Sequence, residues 1–253
     1  MKESTPMGMN KTGMQMSPFD ATDMRTGVPS MQPDPGAGDE SAIAGMRNSY
    51  IAEADPVGSV PVPATVTGAV TAGMSMLAGN APQLFIDKLG ERLAFERTGT
   101  RLYDALLAKF DALGDGGTGA TRAELERIRA DEARHFAMLA HAIETIGGDP
   151  TAQTPCADLA GVESMGLMQV LSDPRTTFVQ SLHAILVAEM ADNAGWEVLV
   201  ALADENHQAS LSTEFTTALS EEQDHLEMVR QWFQRGVIGR TVGSQVAPPP
   251  QTH

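Results

Sequence analysis

The strongest constraint on the fold is a helical repeat that occurs four times along the chain. In four segments, apolar residues recur at intervals of three and four, which keeps their side chains on one face of an α-helix. The predicted helices span about residues 83–113, 121–146, 175–204 and 211–235. Because few other segments resemble strands, the sequence predicts an all-α domain.

The connections between these helices restrict how they can pack. Short connections join the first helix to the second and the third to the fourth, so each pair should be an antiparallel hairpin. Thr121 and Glu124 have the spacing of a capping box at the start of the second helix, and Gly236 marks an expected end of the fourth. A long polar connection, with a short helix expected near Met165–Leu171, allows a crossover. The pattern predicts a four-helix bundle with one long crossover.

The chain outside these helices has a different composition. Residues 1–82 hold ten of the 15 methionines and nine of the 15 prolines. Such a segment buries too little apolar surface to offset its ordering entropy, so we predict a disordered arm, with a short helix allowed over Val66–Leu77. Residues 241–253, which end in APPPQTH, are predicted to be a flexible tail. The compact domain is therefore expected over residues 83–240.

Charge and cysteine content exclude several classes of protein. The formal net charge of −16 argues against binding to nucleic acid or to an anionic membrane, because both need a basic surface. The single cysteine, Cys156, excludes an internal disulfide and a multi-cysteine zinc or iron–sulfur site. The chain has no long apolar run and no secretory signal at its N-terminus, so we expect a cytoplasmic protein.

Acidic residues and histidines interrupt the apolar repeat in the middle of each predicted helix. They are Glu96, Glu132, His135, Glu189, Asp192, Glu222 and His225. A buried unpaired carboxylate costs several kcal/mol, which is comparable with the stability of a whole domain. Two divalent metal ions would balance four glutamates. Because Glu and His three residues apart share a helical face, each such pair can serve one ion, and mixed oxygen and nitrogen donors suit iron or manganese.

The two predicted hairpins repeat the same half-site. Glu132 follows Glu96 by 36 residues, and Glu222 follows Glu189 by 33. In each hairpin the second glutamate begins a Glu-x-x-His pair. This agreement in position is a stronger indication of a metal site than the pairs themselves.

The complete pattern resembles the ferritin-like di-iron carboxylate proteins, in which Glu, ExxH, Glu and ExxH lie on four successive helices. Here the four segments are LAFERTGTRLY, DEARH, LVAEMADNAGW and EEQDH. The resemblance implies a ferritin-like four-helix bundle with two iron ions, or manganese as the alternative. It also implies a ligand set, which is Glu96, Glu132, His135, Glu189, Glu222 and His225.

Two further positions are similar to the rubrerythrin-like members of this superfamily. Those proteins have a tyrosine seven residues after the first-helix glutamate, and Tyr103 matches it, either within reach of a site carboxylate or as a packing residue. After Glu189 the same offset gives Trp196, where relatives often have tyrosine. Rubrerythrins carry an extra glutamate where this chain has Asp192, which leaves a ligand or a nearby hydrogen-bonding group as alternatives.

The resemblance implies a redox enzyme in which the di-iron centre reacts with O₂ or H₂O₂. In a ferroxidase, Fe²⁺ is the substrate and leaves as Fe³⁺. In a peroxidase, an external electron donor must restore the centre, because Cys156 alone cannot supply the Cys₄ iron site of classical rubrerythrins. The alternatives are a manganese catalase, which needs no donor, and a non-catalytic iron-binding or storage subunit.

Two expectations concern assembly. We expect a homo-oligomer, with a dimer favoured over a ferritin shell because of the long N-terminal arm. The segment GRTVGSQ near the C-terminus is similar to the tail peptides that load cargo into encapsulin shells. An encapsulin shell is therefore a further candidate partner.

Overall fold

A computed structural model describes residues 17–28, 40–61 and 82–243, which form α-helices and no strands. The all-α prediction is therefore confirmed for this part of the chain. Two compact units divide the molecule: α1 and α2 belong to the first, and α3 to α7 to the second. The helices are α1 (Pro18–Gly27), α2 (Glu40–Glu53), α3 (Pro82–Leu113), α4 (Arg122–Thr145), α5 (Pro155–Ser172), α6 (Phe178–Glu205) and α7 (Ala209–Gly243).

The N-terminal unit contains helices where the sequence analysis expected disorder. Neither α1 nor α2 buries any of its residues. Pro18 in the first turn of α1 and Arg25 in its last turn are placed as helix ends favour them, so local signals rather than packing account for α1. The helix allowed over Val66–Leu77 and the tail from residue 244 lie outside the described residues.

The first hairpin of the second unit consists of α3 and α4. Gly114, Gly117 and Gly119 adopt positive φ in the turn between them, a conformation that other residues rarely take. The predicted capping box is confirmed: the side chain of Thr121 accepts from the backbone of Glu124, and the Glu124 side chain accepts from the backbone of Thr121.

The crossover contains a longer helix than expected. The sequence predicted a short helix near Met165–Leu171, whereas α5 begins ten residues earlier at Pro155. Thr154 caps it by accepting a hydrogen bond from the backbone of Ala157, and proline is favoured at the first helical position. The helix packs against α3 and α6.

The last helix continues past its expected end at Gly236. A Cβ atom on Gly236 would lie 2.7 Å from Cγ2 of Val179 and 2.8 Å from Cγ2 of Thr118, so the glycine permits close packing inside the helix. Gly236 therefore does not end α7, which extends to Gly243 and into the first residues of the predicted tail.

Apolar side chains form two clusters within the second unit. One contains Leu106, Ile128, Phe178 and Trp232, and the other contains Leu89, Leu139, Trp196 and Phe215. Helices α3, α4, α6 and α7 contribute to both clusters, and α3 packs against α4 and α6, while α7 packs against α6 and α4. The interrupting polar residues lie between the two clusters. No helix among the described residues is long and apolar enough to cross a membrane.

Candidate metal centre

All the polar residues that interrupt the helical repeat are buried. None of the seven exposes more than 2% of its surface, and Glu96, Glu222 and His225 expose none. A solvated helix face would leave such side chains accessible. Their burial therefore places the acidic groups and histidines inside the protein.

The structure brings these seven residues into three overlapping groups whose ligand atoms lie within 4.8 Å of one another. The groups are Glu132 with Glu189, Glu222 and His225; Glu96 with His135 and Glu222; and Glu96 with Glu132, Asp192 and Glu222. Glu222 belongs to all three groups. The buried carboxylates and imidazoles could therefore hold a metal ion.

Several oxygen and nitrogen atoms at the centre that could bind a metal ion have no hydrogen-bond partner within the described residues. They are Oε2 of Glu96, Oε2 of Glu189, Oε1 of Glu222 and Nδ1 of His135. Nδ1 of His135 and Oε1 of Glu222 lie 2.7 Å apart without the angles of a hydrogen bond. Buried polar atoms are normally satisfied, so this concentration of unsatisfied oxygen and nitrogen donors fits a bound cation.

Each histidine directs its two ring nitrogens to different places. Nδ1 of His225 lies 3.2 Å from Glu222, whereas Nε2 lies 3.1 Å from Oδ2 of Asp131. His135 follows the same arrangement, with Nε2 2.7 Å from Oε2 of Glu221. Asp131 and Glu221 fix the ring orientation and leave Nδ1 directed to the centre, as carboxylate partners of metal-bound histidines do.

These two carboxylates cross between the hairpins. Asp131 directly precedes Glu132 on α4 but contacts the histidine of α7, and Glu221 on α7 contacts the histidine of α4. Arg134 joins them, with guanidinium nitrogens 2.7 Å from each carboxylate. The sequence alone does not indicate these three residues, because the contacts that they make between the hairpins join positions about 90 residues apart. The local sequence shows only an acidic residue before the glutamate in both DEARH and EEQDH.

Tyr103 and Trp196 form a second pair of crossed contacts. The phenol of Tyr103 donates a hydrogen bond to Oε1 of Glu189. The indole N–H of Trp196 donates to Oε1 of Glu96 at 3.0 Å. Each ring thus holds one oxygen of the glutamate on the opposite helix.

Asp192 has a cationic partner that the sequence analysis did not find. Arg92 donates to Oδ1 of Asp192 and, at 3.1 Å, to its backbone oxygen, and both side chains are buried. The guanidinium also lies 4.2 Å from the centre of the Phe95 ring. Arg92 offsets part of the charge of Asp192, but burial and the charges of Glu96 and Glu222 still raise the pKa of the Asp192 carboxyl well above its usual range.

Asn193 is another residue that the analysis missed. Its side-chain amide donates to the backbone oxygens of Glu189 and Glu222, both at 3.0 Å. This contact joins α6 to α7 at the level of the centre. No spacing rule distinguishes Asn193 from a surface asparagine.

The electrostatics of the centre follow from burial of like charges. Burial, reinforced by the charge of Glu222, raises the pKa of Glu96 to about 7. Burial likewise raises the pKa of Glu132 and of Glu189 well above the usual range. Burial acts to raise the pKa of Glu222, but its contacts with His135 and His225 outweigh burial and keep that pKa below its ordinary value. Protons therefore neutralise the centre when no cation does so.

The histidines complement Glu222. Burial acts to lower the pKa of His135 and of His225, but contacts with acidic groups outweigh it, and both pKa values are raised. For His135 and His225 alike, the largest of these contacts is the one with Glu222. Both His135 and His225 thus offset the charge on Glu222.

Comparison of the chain with models of protein families, with curated proteins and with solved structures finds no match. Its function is therefore inferred from the residues of the centre and their geometry.

Proposed function

We propose that α3, α4, α6 and α7 form a ferritin-like four-helix bundle, crossed over through α5, that binds two metal ions. We further propose that the ions are iron and that the protein oxidises Fe²⁺ with O₂ or peroxide. The observation that carries the proposal is the set of unpaired donor atoms buried between the two apolar clusters. The repeated half-site supports two ions rather than one.

The three donor groups indicate which residues would hold each ion. Glu96 and His135 would serve one ion, and Glu189 and His225 the other. Glu132 and Glu222 begin the two ExxH pairs and would be shared. Asp192 is paired with Arg92, so four glutamates remain for the ions, and their charge equals that of two divalent ions.

Bound iron would supply a Lewis acid and a store of electrons for the reduction of O₂ or H₂O₂. The residues of the chain would orient the metal ligands and exclude bulk water. Asp131 and Glu221 orient the histidines, while Tyr103 and Trp196 each fix one oxygen of a glutamate. The apolar clusters on both sides exclude bulk water, which strengthens electrostatic interactions inside the centre.

The proposed reaction determines what else the protein needs. As a ferroxidase it needs only Fe²⁺ and an oxidant. As a peroxidase it needs an external reductant, because Cys156 cannot form a Cys₄ iron site. The same donor set suits manganese, so a manganese catalase is retained as an outcome of the test, as is an iron-binding or storage subunit.

Metal analysis tests the proposal directly. Protein expressed with both iron and manganese should hold about two metal ions per chain, and Glu132→Ala and Glu222→Ala should abolish binding. Less than one ion per chain in the unchanged protein would refute the di-metal centre.

With Fe²⁺ added, consumption of O₂ indicates a ferroxidase, and consumption of H₂O₂ with a reductant indicates a peroxidase. Evolution of O₂ from H₂O₂ by manganese-loaded protein would favour the catalase, and bound iron without turnover would favour storage.

A further inference from the structure

A glycine stands in the middle of α3, three residues after Glu96. Gly99 is buried and lies inside a helix of 32 residues. Glycine in a helix interior is unfavourable relative to alanine, and α3 continues past this position to Leu113, so no helix end accounts for the glycine. The reason must therefore lie in what occupies the space beside Gly99.

The occupant is the carboxylate of Glu132. A Cβ atom on Gly99 would lie 2.8 Å from Cδ of Glu132 and closer still to its Oε2. Carbon atoms do not approach so closely without displacement. Any side chain at position 99 would therefore have to move the carboxylate that starts the first ExxH pair.

The second half-site lacks this arrangement. The position three residues after Glu189 is Asp192, which Arg92 holds, rather than a glycine. Glu222, the counterpart of Glu132, instead lies against the two histidines. Of the two glutamates that begin the ExxH pairs, Glu132 therefore lies against a glycine of the facing helix and Glu222 does not.

We propose that Gly99 is a positioning residue for Glu132: its missing side chain provides the space from which that carboxylate reaches the metal centre. The part of this inference that concerns metal rests on the proposed function. The steric part does not, because it concerns only the contact between α3 and α4. Two measurements keep these parts separate.

The first measurement is metal binding by Gly99→Ala, with Gly166→Ala as the matched control. Gly166 also lies inside a helix, α5, and a Cβ atom there would meet nothing within 4 Å. Gly99→Ala should bind Co²⁺ about 10–100-fold more weakly and should change the Co²⁺ absorption spectrum. Gly166→Ala should bind Co²⁺ as the unchanged protein does. Equal affinities and spectra in all three would overturn the metal part of the inference.

The second measurement is a double-mutant cycle on metal-free protein in a chelator. Alanine at position 166 should raise the melting temperature by about 2–4 °C, which is the gain in helix propensity. Alanine at position 99 should not give this gain while Glu132 is present, but should give it in the Glu132→Ala background. Equal shifts at position 99 in both backgrounds would overturn the steric part, whether or not the protein binds metal. A failure of the unchanged protein to bind Co²⁺ would refute the proposed function alone.

Discussion

The indole N–H of Trp196 donates a hydrogen bond to Oε1 of Glu96 at 3.0 Å. On the facing helix, the phenol of Tyr103 donates to Glu189. Each ring stands seven residues after the glutamate of its own helix and contacts the glutamate of the other. Trp196 thus supplies to Glu96 the kind of hydrogen bond that Tyr103 supplies to Glu189.

Removal of either donor should weaken metal binding. Tyr103→Phe deletes the hydroxyl that holds Glu189, which leaves that carboxylate free to rotate. Trp196→Phe deletes the indole N–H that holds Glu96, with the same consequence for Glu96. We expect a loss in metal affinity of about 10–100-fold for each variant, measured by titration of metal-free protein. If Tyr103→Phe binds metal with unchanged affinity, its hydrogen bond does not contribute to the centre and the ring serves only for packing.

Metal binding should also change the fluorescence of Trp196. The protein has two tryptophans. Trp196 is hydrogen-bonded to Glu96 of the centre, whereas Trp232 packs in the apolar cluster that contains Leu106 and Phe178. Titration with Co²⁺ should quench the emission of Trp232→Phe, which retains Trp196. The emission of Trp196→Phe should respond much less. A response carried by Trp232 would contradict the proposed position of the metal ions.

Loss of Asp131 should affect metal binding more than folding. Asp131→Ala removes the carboxylate that orients His225 at 3.1 Å, so metal affinity should fall about 10–100-fold. The control is Asp104→Ala, which breaks an exposed ion pair with Arg129 on the surface. Equal metal affinities for the two variants, measured by competition with a chelator, would show that Asp131 does not support the histidine.

The ion pair of Arg92 and Asp192 should matter for stability. Asp192→Ala leaves a buried guanidinium without its partner, which should lower the free energy of unfolding by about 3–5 kcal/mol in urea. A second change, Arg92→Met, should recover much of this loss. Two metal ions should still bind to the double variant. A fall to one ion per chain would instead identify Asp192 as a ligand.

The stability of the metal-free protein should fall as the pH rises from about 5 to about 7. Burial and the charge of Glu222 raise the pKa of Glu96 from its ordinary value of 4.5 to about 7, so the folded state keeps a proton that the unfolded chain releases. The raised pKa values of His135 and His225 act in the same direction, because stability from a protonated histidine is lost as the pH passes its folded-state pKa.

Metal should reverse this dependence on pH. Because ions compete with protons for the same donors, the metal-loaded protein should become more stable over the range in which the metal-free protein becomes less stable. Melting temperatures measured with chelator and with metal between pH 5 and 8 check both slopes. A metal-free protein whose stability rises over this range would contradict the raised pKa of Glu96.

Local sequence signals accounted for much of the fold. The helix predicted over residues 121–146 is α4, Arg122–Thr145, and its repeat was recognisable because a helix keeps residues three and four apart on one face. The capping box at Thr121 was found for the same reason, since it involves residues of one turn. The start of α5 at Thr154 and Pro155 was missed, although its signal is of this local kind.

Individual contacts between helices were not predicted from the sequence. Gly236 has the features of a helix end when considered alone, and only the nearness of Val179 shows that the glycine instead leaves room for a neighbouring helix. Arg92 lies 100 residues from Asp192, and nothing in either segment indicates the other. Such pairs depend on the register between helices, which local propensity does not determine.

The sequence by itself determined that this chain is helical and that seven acidic and histidine side chains occupy core positions on four helices. Periodicity is enough for this, because the face on which a residue lies depends only on its position in its own helix. The tertiary structure alone decided how those side chains are used: which donor atoms stay unpaired, which carboxylate orients each histidine, and where a glycine leaves space for Glu132. These relationships depend on distances between atoms on different helices, and those distances are fixed only when the helices pack.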